Sequence, residues 1–117
     1  MTHYMNLKPR PFEMIASGEK TIELRLNDEK RQQIKVGDSI VFQKTSDPNE
    51  QITADVVRFH KFNSFLELYE ALPLDKCGYL PDELDSASYK DMEEYYSAEK
   101  QAQYGVLGIE IKVVNVL

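Results

Sequence analysis

The stretch SGEKTIELRL, Ser17–Leu26, decides the reading of this chain. It opens as a helix end, with Gly18 where a left-handed C-terminal cap belongs. It then becomes a strand by alternation: Ile22, Leu24 and Leu26 share one face, and Thr21, Glu23 and Arg25 the other. Lys20, Glu23 and Arg25 place three charges within six residues, and two readings follow. On an edge strand they are a solvated face, and a Glu23–Arg25 pair is worth under about 1 kcal/mol. Beside a cleft they are a ligand grip. Lys20 supplies a point charge, or a base if desolvated. Glu23 accepts from an exocyclic amine or moves a proton. Arg25 forks onto a phosphate or stacks on a base.

Upstream, residues 3–8 alternate weakly as a first strand, and Pro9 and Pro11 break it. Pro11 suits the first turn of a helix over 11–17, where a missing N–H costs nothing; Phe12, Ile15 and Ala16 form its apolar stripe. Downstream, NDEKRQQI reads as a helical turn capped by Asn27 or Asp28, and Gly37 tips a turn into the strand SIVFQK. TSDPNE, residues 45–50, reads as a hairpin loop. The strand over 51–62 changes parity, which predicts a bulge near Val56. SFLELYEAL opens with a capping box, Ser64 to Glu67, and Pro73 ends that helix. Residues 74–88 read as a long acidic loop. Residues 89–104 read as one helix or two, capped by Ser88 and Ser97. VLGIEIKVVNVL closes the chain as a strand with Leu107, Ile109, Ile111 and Val113 on its buried face. Short strands, one parity break and few helices predict an α+β fold: one domain, a small mixed β-barrel with short peripheral helices. Ile22, Leu24 and Leu26 are expected in a single barrel core with Ile40, Phe42, Leu107, Ile109 and Ile111.

The charge distribution bounds the partners. Net charge is −6, yet residues 1–44 hold eight Lys/Arg against six Asp/Glu, while residues 65–104 hold three against ten. A protein that grips long nucleic acid carries a broad basic field, which this chain lacks. Any nucleic-acid contact is therefore small: a nucleoside, a strand end or one flipped base. A lone cysteine, Cys77, and two distant histidines, His3 and His60, offer no metal cluster, and no cofactor is implied. There is no glycine-rich phosphate loop and no GxSxG elbow. No apolar run reaches membrane-span length, and the N-terminus lacks a signal-peptide core, so a cytoplasmic protein with no membrane partner is expected. Five tyrosines lie in the acidic segment: Tyr79, Tyr89, Tyr95, Tyr96 and Tyr104. Most are expected to pack a helix on the barrel, but adjacent residues cannot both face a core. Tyr95 or Tyr96 is the better candidate for a cleft wall.

Leu7–Phe42, LKPRPFEMIASGEKTIELRLNDEKRQQIKVGDSIVF, resembles the ASCH domain (activating signal cointegrator homology) of the PUA-like superfamily. Gly18, Lys20, Glu23 and Arg25 match a Gly-x-Lys-x-x-Glu-x-Arg pattern, Gly37 and Asp38 match its turn, and YGVLGIEI looks like the closing strand. The resemblance implies a PUA-like β-barrel with a cleft beside the motif strand. Such domains are thought to bind RNA, or modified or flipped bases. One bacterial branch removes the acetyl group from 4-N-acetylcytidine with a lysine, a threonine and a glutamate; other members are reported as ribonucleases. The branch's lysine falls on Lys20. Its threonine falls on Glu23, where this chain departs from that branch, and Thr21 is the nearest hydroxyl. Its glutamate falls near Glu93 or Glu94. The ligand-binding candidates are thus Lys8, Lys20, Thr21, Glu23, Arg25, Tyr95 and Tyr96. The catalytic candidates, for an enzyme, are Lys20 and Glu23 with Glu93 or Glu94. RNA or a nucleotide-like ligand is the expected partner, a nucleoside amidohydrolase or ribonuclease the alternative. A protein-interaction module using the acidic half is the third reading.

Overall fold

The strands follow from their apolar alternation. In a computed structural model describing all 117 residues, they are β1 (Thr2–Leu7), β2 (Ile22–Leu26), β3 (Ser39–Lys44), β4 (Asp47–Phe62) and β5 (Val106–Val116). They form one sheet in the order β1-β3-β4-β5-β2, with β1 parallel to β3 and the other pairs antiparallel. The long strands bend at two bulges. Between Val56 and Arg58 the register shifts, leaving Val57 unpaired, where the parity break predicted it. A second shift, between Thr53 and Ala54, leaves Val114 of β5 unpaired. Each extra residue sharpens the local twist and curls the sheet. The result is an open barrel whose seam lies between its edge strands, β1 and β2.

Helix α1 (Pro9–Ser17) begins at Pro9, two residues before the predicted start, because both prolines fit a first turn that needs no N–H there. It ends at Gly18, with φ 89° and its N–H on the Ile15 carbonyl. Asp28 caps a 3-10 turn over Arg31–Gln33, accepting from the Arg31 N–H at 3.1 Å. The predicted hairpin loop shrinks to Thr45 and Ser46, since Lys44 already pairs with Asp47; Pro48 is tolerated beside this turn, at the start of β4.

Helix α2 (Phe65–Ala71) is capped by Ser64, which accepts from the Glu67 N–H. The Glu67 carboxylate reaches back past Ser64 to the Asn63 N–H at 3.0 Å. The supposed loop after Pro73 holds two 3-10 turns, Leu74–Lys76 and Pro81–Ser86. Two short helices follow, α3 (Lys90–Glu93) and α4 (Ala98–Tyr104), the latter capped by Ser97. Gln101 on α4 is buried with both amide atoms bonded: it accepts from the Phe65 N–H and donates to the Tyr96 carbonyl, latching α4 to α2.

The apolar residues are buried as expected, but not in one core. Ile40, Phe42, Leu107, Ile109 and Ile111 fill the barrel with Met5, Leu7, Phe12 and Ile15. Ile22, Leu24 and Leu26 pack outside it, with Phe65, Leu68, Cys77 and Val106 beneath the helices. Register explains the correction. Glu23 pairs with Ile109 and Arg25 with Leu107, so the charged face of β2 shares the barrel side of the sheet with two core residues. The apolar face of β2 is left for the helices. Gly108, opposite Leu24, completes that second interface: a Cβ there would lie 2.8 Å from Leu72 Cδ1 and 3.1 Å from Ile22 Cγ2.

Candidate functional site

Inward-facing charges on an edge strand need partners, and β2 supplies its own. The Glu23 side chain is only 4% exposed and sits between two cations: Oε1 lies 2.8 Å from Lys20 Nζ, and Oε2 accepts from Arg25 Nε at 2.7 Å. Burial alone would raise the Glu23 carboxyl, but Lys20 and Arg25 overcome it and hold the group at about 2, well below its ordinary 4.5. Arg25 carries a second bond, from Nη2 to the Asn6 carbonyl at 3.0 Å. That contact spans the seam from β2 to β1. Lys20 is fixed at both ends. Its N–H donates to the Met14 carbonyl, and Cys77–Gly78 passes over its stem. Gly78 adopts φ +113°, and a Cβ there would touch Lys20 Cδ at 3.4 Å.

These groups form the floor of a cavity of about 530 Å³ between the seam and the helical segment. Lys8 and Arg10 stand at its α1 side; Tyr69, Tyr79, Tyr95 and Tyr96 line it. Tyr96 stacks on Phe65 at 5.8 Å between ring centroids, whereas Tyr95 is 59% exposed with Lys8 Nζ 5.4 Å above its ring. Arg10 on α1 pairs with Glu83 of the second 3-10 turn, strapping the segment across the barrel. The Tyr69 hydroxyl meets that of Tyr79 at 2.7 Å, and Tyr79 donates to Asp91 Oδ2 at 2.6 Å.

The structure thus brings together Lys8, Lys20, Glu23, Arg25, Glu94, Tyr95 and Tyr96, and leaves out Thr21 and Glu93. Strand β2 begins one residue after Thr21, whose N–H is taken by the Lys76 carbonyl and whose own carbonyl accepts from Ile111. Thr21 does not line the cavity. Cys77 lines it, but burial pushes its thiol up to about 12, with Lys20 opposing only in part, so no thiolate forms near neutrality. Glu23 has each oxygen on a cation and so orients Lys20 and Arg25 on the cavity floor. Arg10, Tyr69, Tyr79, Asp91 and Met92 also line the cavity and were not singled out from sequence as site residues. Only Tyr79 carried a signal, as one tyrosine of the acidic segment.

Five strands curled into an open barrel, with short helices outside and a cleft along the seam, define a PUA-like fold. The chain belongs to the ASCH domain family, whose model matches residues 5–115. Two similar solved structures are each 33% identical to it. For hypothetical protein PH0355 the TM-score is 0.80, over 97% of this chain and 100% of that one. For protein PF0455 from Pyrococcus furiosus it is 0.71, over 98% and 99%. ASCH from Zymomonas mobilis shares the fold at 14% identity, with a TM-score of 0.68 over 99% of this chain and 72% of that one. A comparison with curated proteins gives no match. No helix is long and apolar enough to cross a membrane.

Proposed function

We propose that the chain binds a single nucleotide unit, free or presented by an RNA strand, in the cleft beside Lys20, Glu23 and Arg25. One observation carries this reading. A buried carboxylate holds two cations on the floor of a tyrosine-walled cavity of about 530 Å³. Pockets of that size enclose small ligands. Lys20 keeps two N–H groups beyond its bond to Glu23, and Arg25, which also faces Tyr96, keeps N–H groups beyond those on Glu23 and Asn6; both suit a phosphate or a base carbonyl. The rings of Tyr95 and Tyr96 suit base stacking, which is worth about 1–3 kcal/mol per base. The net charge of −6 limits the contact to a short piece of nucleic acid. ASCH domains are thought to bind RNA, which agrees with this reading.

The test is a thermal-shift screen over nucleosides, nucleoside monophosphates and short RNAs. A ligand at 100 times its Kd should stabilise the protein by about 2.7 kcal/mol. Repeating it from low to high salt separates a pocket for one unit from a phosphate track, since affinity through several phosphates falls steeply with salt. No stabilisation by any of these ligands contradicts the reading.

A further inference from the structure

The hydrogen-bond chain Tyr69–Tyr79–Asp91 has only one possible direction. The Tyr79 hydroxyl carries one hydrogen and lies 2.6 Å from Asp91 Oδ2 and 2.7 Å from the Tyr69 hydroxyl. A carboxylate only accepts, so Tyr79 donates to Asp91, and Tyr69 must then donate to Tyr79. Burial keeps both phenols protonated: it is the main cause that pushes Tyr69 up to about 12 and raises Tyr79 as well. Both hydroxyl hydrogens are therefore used inside the wall. What the wall offers to the cleft is lone pairs: those left on the Tyr69 oxygen, and Asp91 Oδ1, which accepts no bond within the chain. On the seam side Lys20 and Arg25 only donate, and each oxygen of Glu23 between them is already bonded to one of the two.

Resting on the nucleotide reading above, we infer that the cleft selects bases presenting an amino group to the Tyr69–Asp91 wall over bases presenting a carbonyl there. Cytosine and adenine carry an exocyclic amine where uracil and hypoxanthine carry a carbonyl. The members of each pair are nearly equal in size. An amine satisfies the acceptors of the wall. A carbonyl in the same place meets lone pairs only and forgoes the hydrogen bond that the amine makes. Sites built to hydrogen-bond one group reject its lacking analogue far better than sites that sense size alone.

The experiment is calorimetric titration with two matched pairs, cytidine against uridine monophosphate and adenosine against inosine monophosphate. The amino member of each pair is expected to bind at least tenfold tighter. Asp91→Asn tests the cause. An amide both donates and accepts, so the chain can then run either way and Tyr69 can donate into the cleft. The preference should collapse toward equal affinity. Because both ligands of a pair are read on the same folded protein, checked by its melting temperature, a loss of stability does not mimic this result. Equal affinities within both pairs in the unaltered protein would overturn the inference and leave the nucleotide reading standing. A preference that survives Asp91→Asn undiminished would also overturn it, by removing the chain as its source. Failure of all four ligands to bind would overturn both.

Discussion

Arg25 donates from Nη2 to the carbonyl of Asn6 at 3.0 Å, and so joins β2 to β1, the two edges of the sheet. The same guanidinium donates from Nε to Glu23. One side chain thus bridges the barrel seam and completes the charge balance of the cleft floor. The motif strand closes the seam and floors the cleft at once.

Arg25→Ala should destabilise the fold by about 2–4 kcal/mol, because it strips one partner from a buried carboxylate. Arg25→Lys should recover only part of this, since an ammonium lacks the planar fork needed to reach Glu23 and Asn6 together. Urea unfolding midpoints of the two variants check the order. A fully stable Arg25→Ala protein would show that the seam needs no bridge.

Acid should unfold the protein partly through Glu23. Its folded value, about 2, lies below its ordinary 4.5, so the unfolded chain binds the proton first. The stabilising contribution is present in full above about pH 4.5 and is lost as pH falls toward 2. Asp38, held at about 2 by His3, the Lys35 N–H and the N-terminus, contributes in a similar window. Glu23→Gln isolates the first share. At pH 7 it leaves two cations without their anion and should be the less stable protein. The gap to the unaltered chain should close as pH drops. A gap that stays constant from pH 7 to pH 3 would place the acid sensitivity elsewhere.

The two cores should answer to packing changes separately. Ile109 is fully buried in the barrel, and Ile109→Ala should cost about 2–5 kcal/mol. Gly108→Ala crowds Leu72 and Ile22 on the opposite face, and overpacking of this kind costs about 1–3 kcal/mol. Denaturation of each single variant supplies the numbers. A neutral Gly108→Ala would mean that α2 gives way without loss.

Cys77 should be inert while the protein is folded. Its thiol is buried and held near 12, so alkylation by iodoacetamide at pH 7.5 should be slow and should become fast on adding denaturant. Intact-mass measurement reads both rates. Rapid labelling of the folded chain would reopen Cys77 as a nucleophile.

Much of this architecture was legible in local sequence. Gly18 announced the end of α1, the parity change announced the Val57 bulge, and Ser64 and Ser97 announced their helices. The facing of β2 was not. Alternation separates Ile22, Leu24 and Leu26 from Glu23 and Arg25, but it does not say which set enters the barrel. That choice depends on register with Leu107 and Ile109 and on helices that cover the apolar set. The tightness of the hairpin loop and the two 3-10 turns after Pro73 were missed because Pro and Asp read as loop until the ladder is known. Arg10, Asp91 and the Tyr69–Tyr79 contact join the site only across long sequence separations, from Lys8 to Tyr96, and no local pattern marks them. Lys20 was a candidate from the start, because the motif sets it three residues before Glu23 and five before Arg25.

The central claim is that the cations held by Glu23 grip a nucleotide. Its most direct test is calorimetric titration of a nucleoside monophosphate into the unaltered protein, Lys20→Ala, Arg25→Ala and the exposed control Arg58→Ala, at a temperature where all are folded. At least a tenfold loss of affinity is expected in Arg25→Ala, since a charge-assisted hydrogen bond is worth about 1.5–3 kcal/mol. A loss is expected in Lys20→Ala as well, and an unchanged Kd in Arg58→Ala. Binding that survives undiminished in both cleft variants would contradict it.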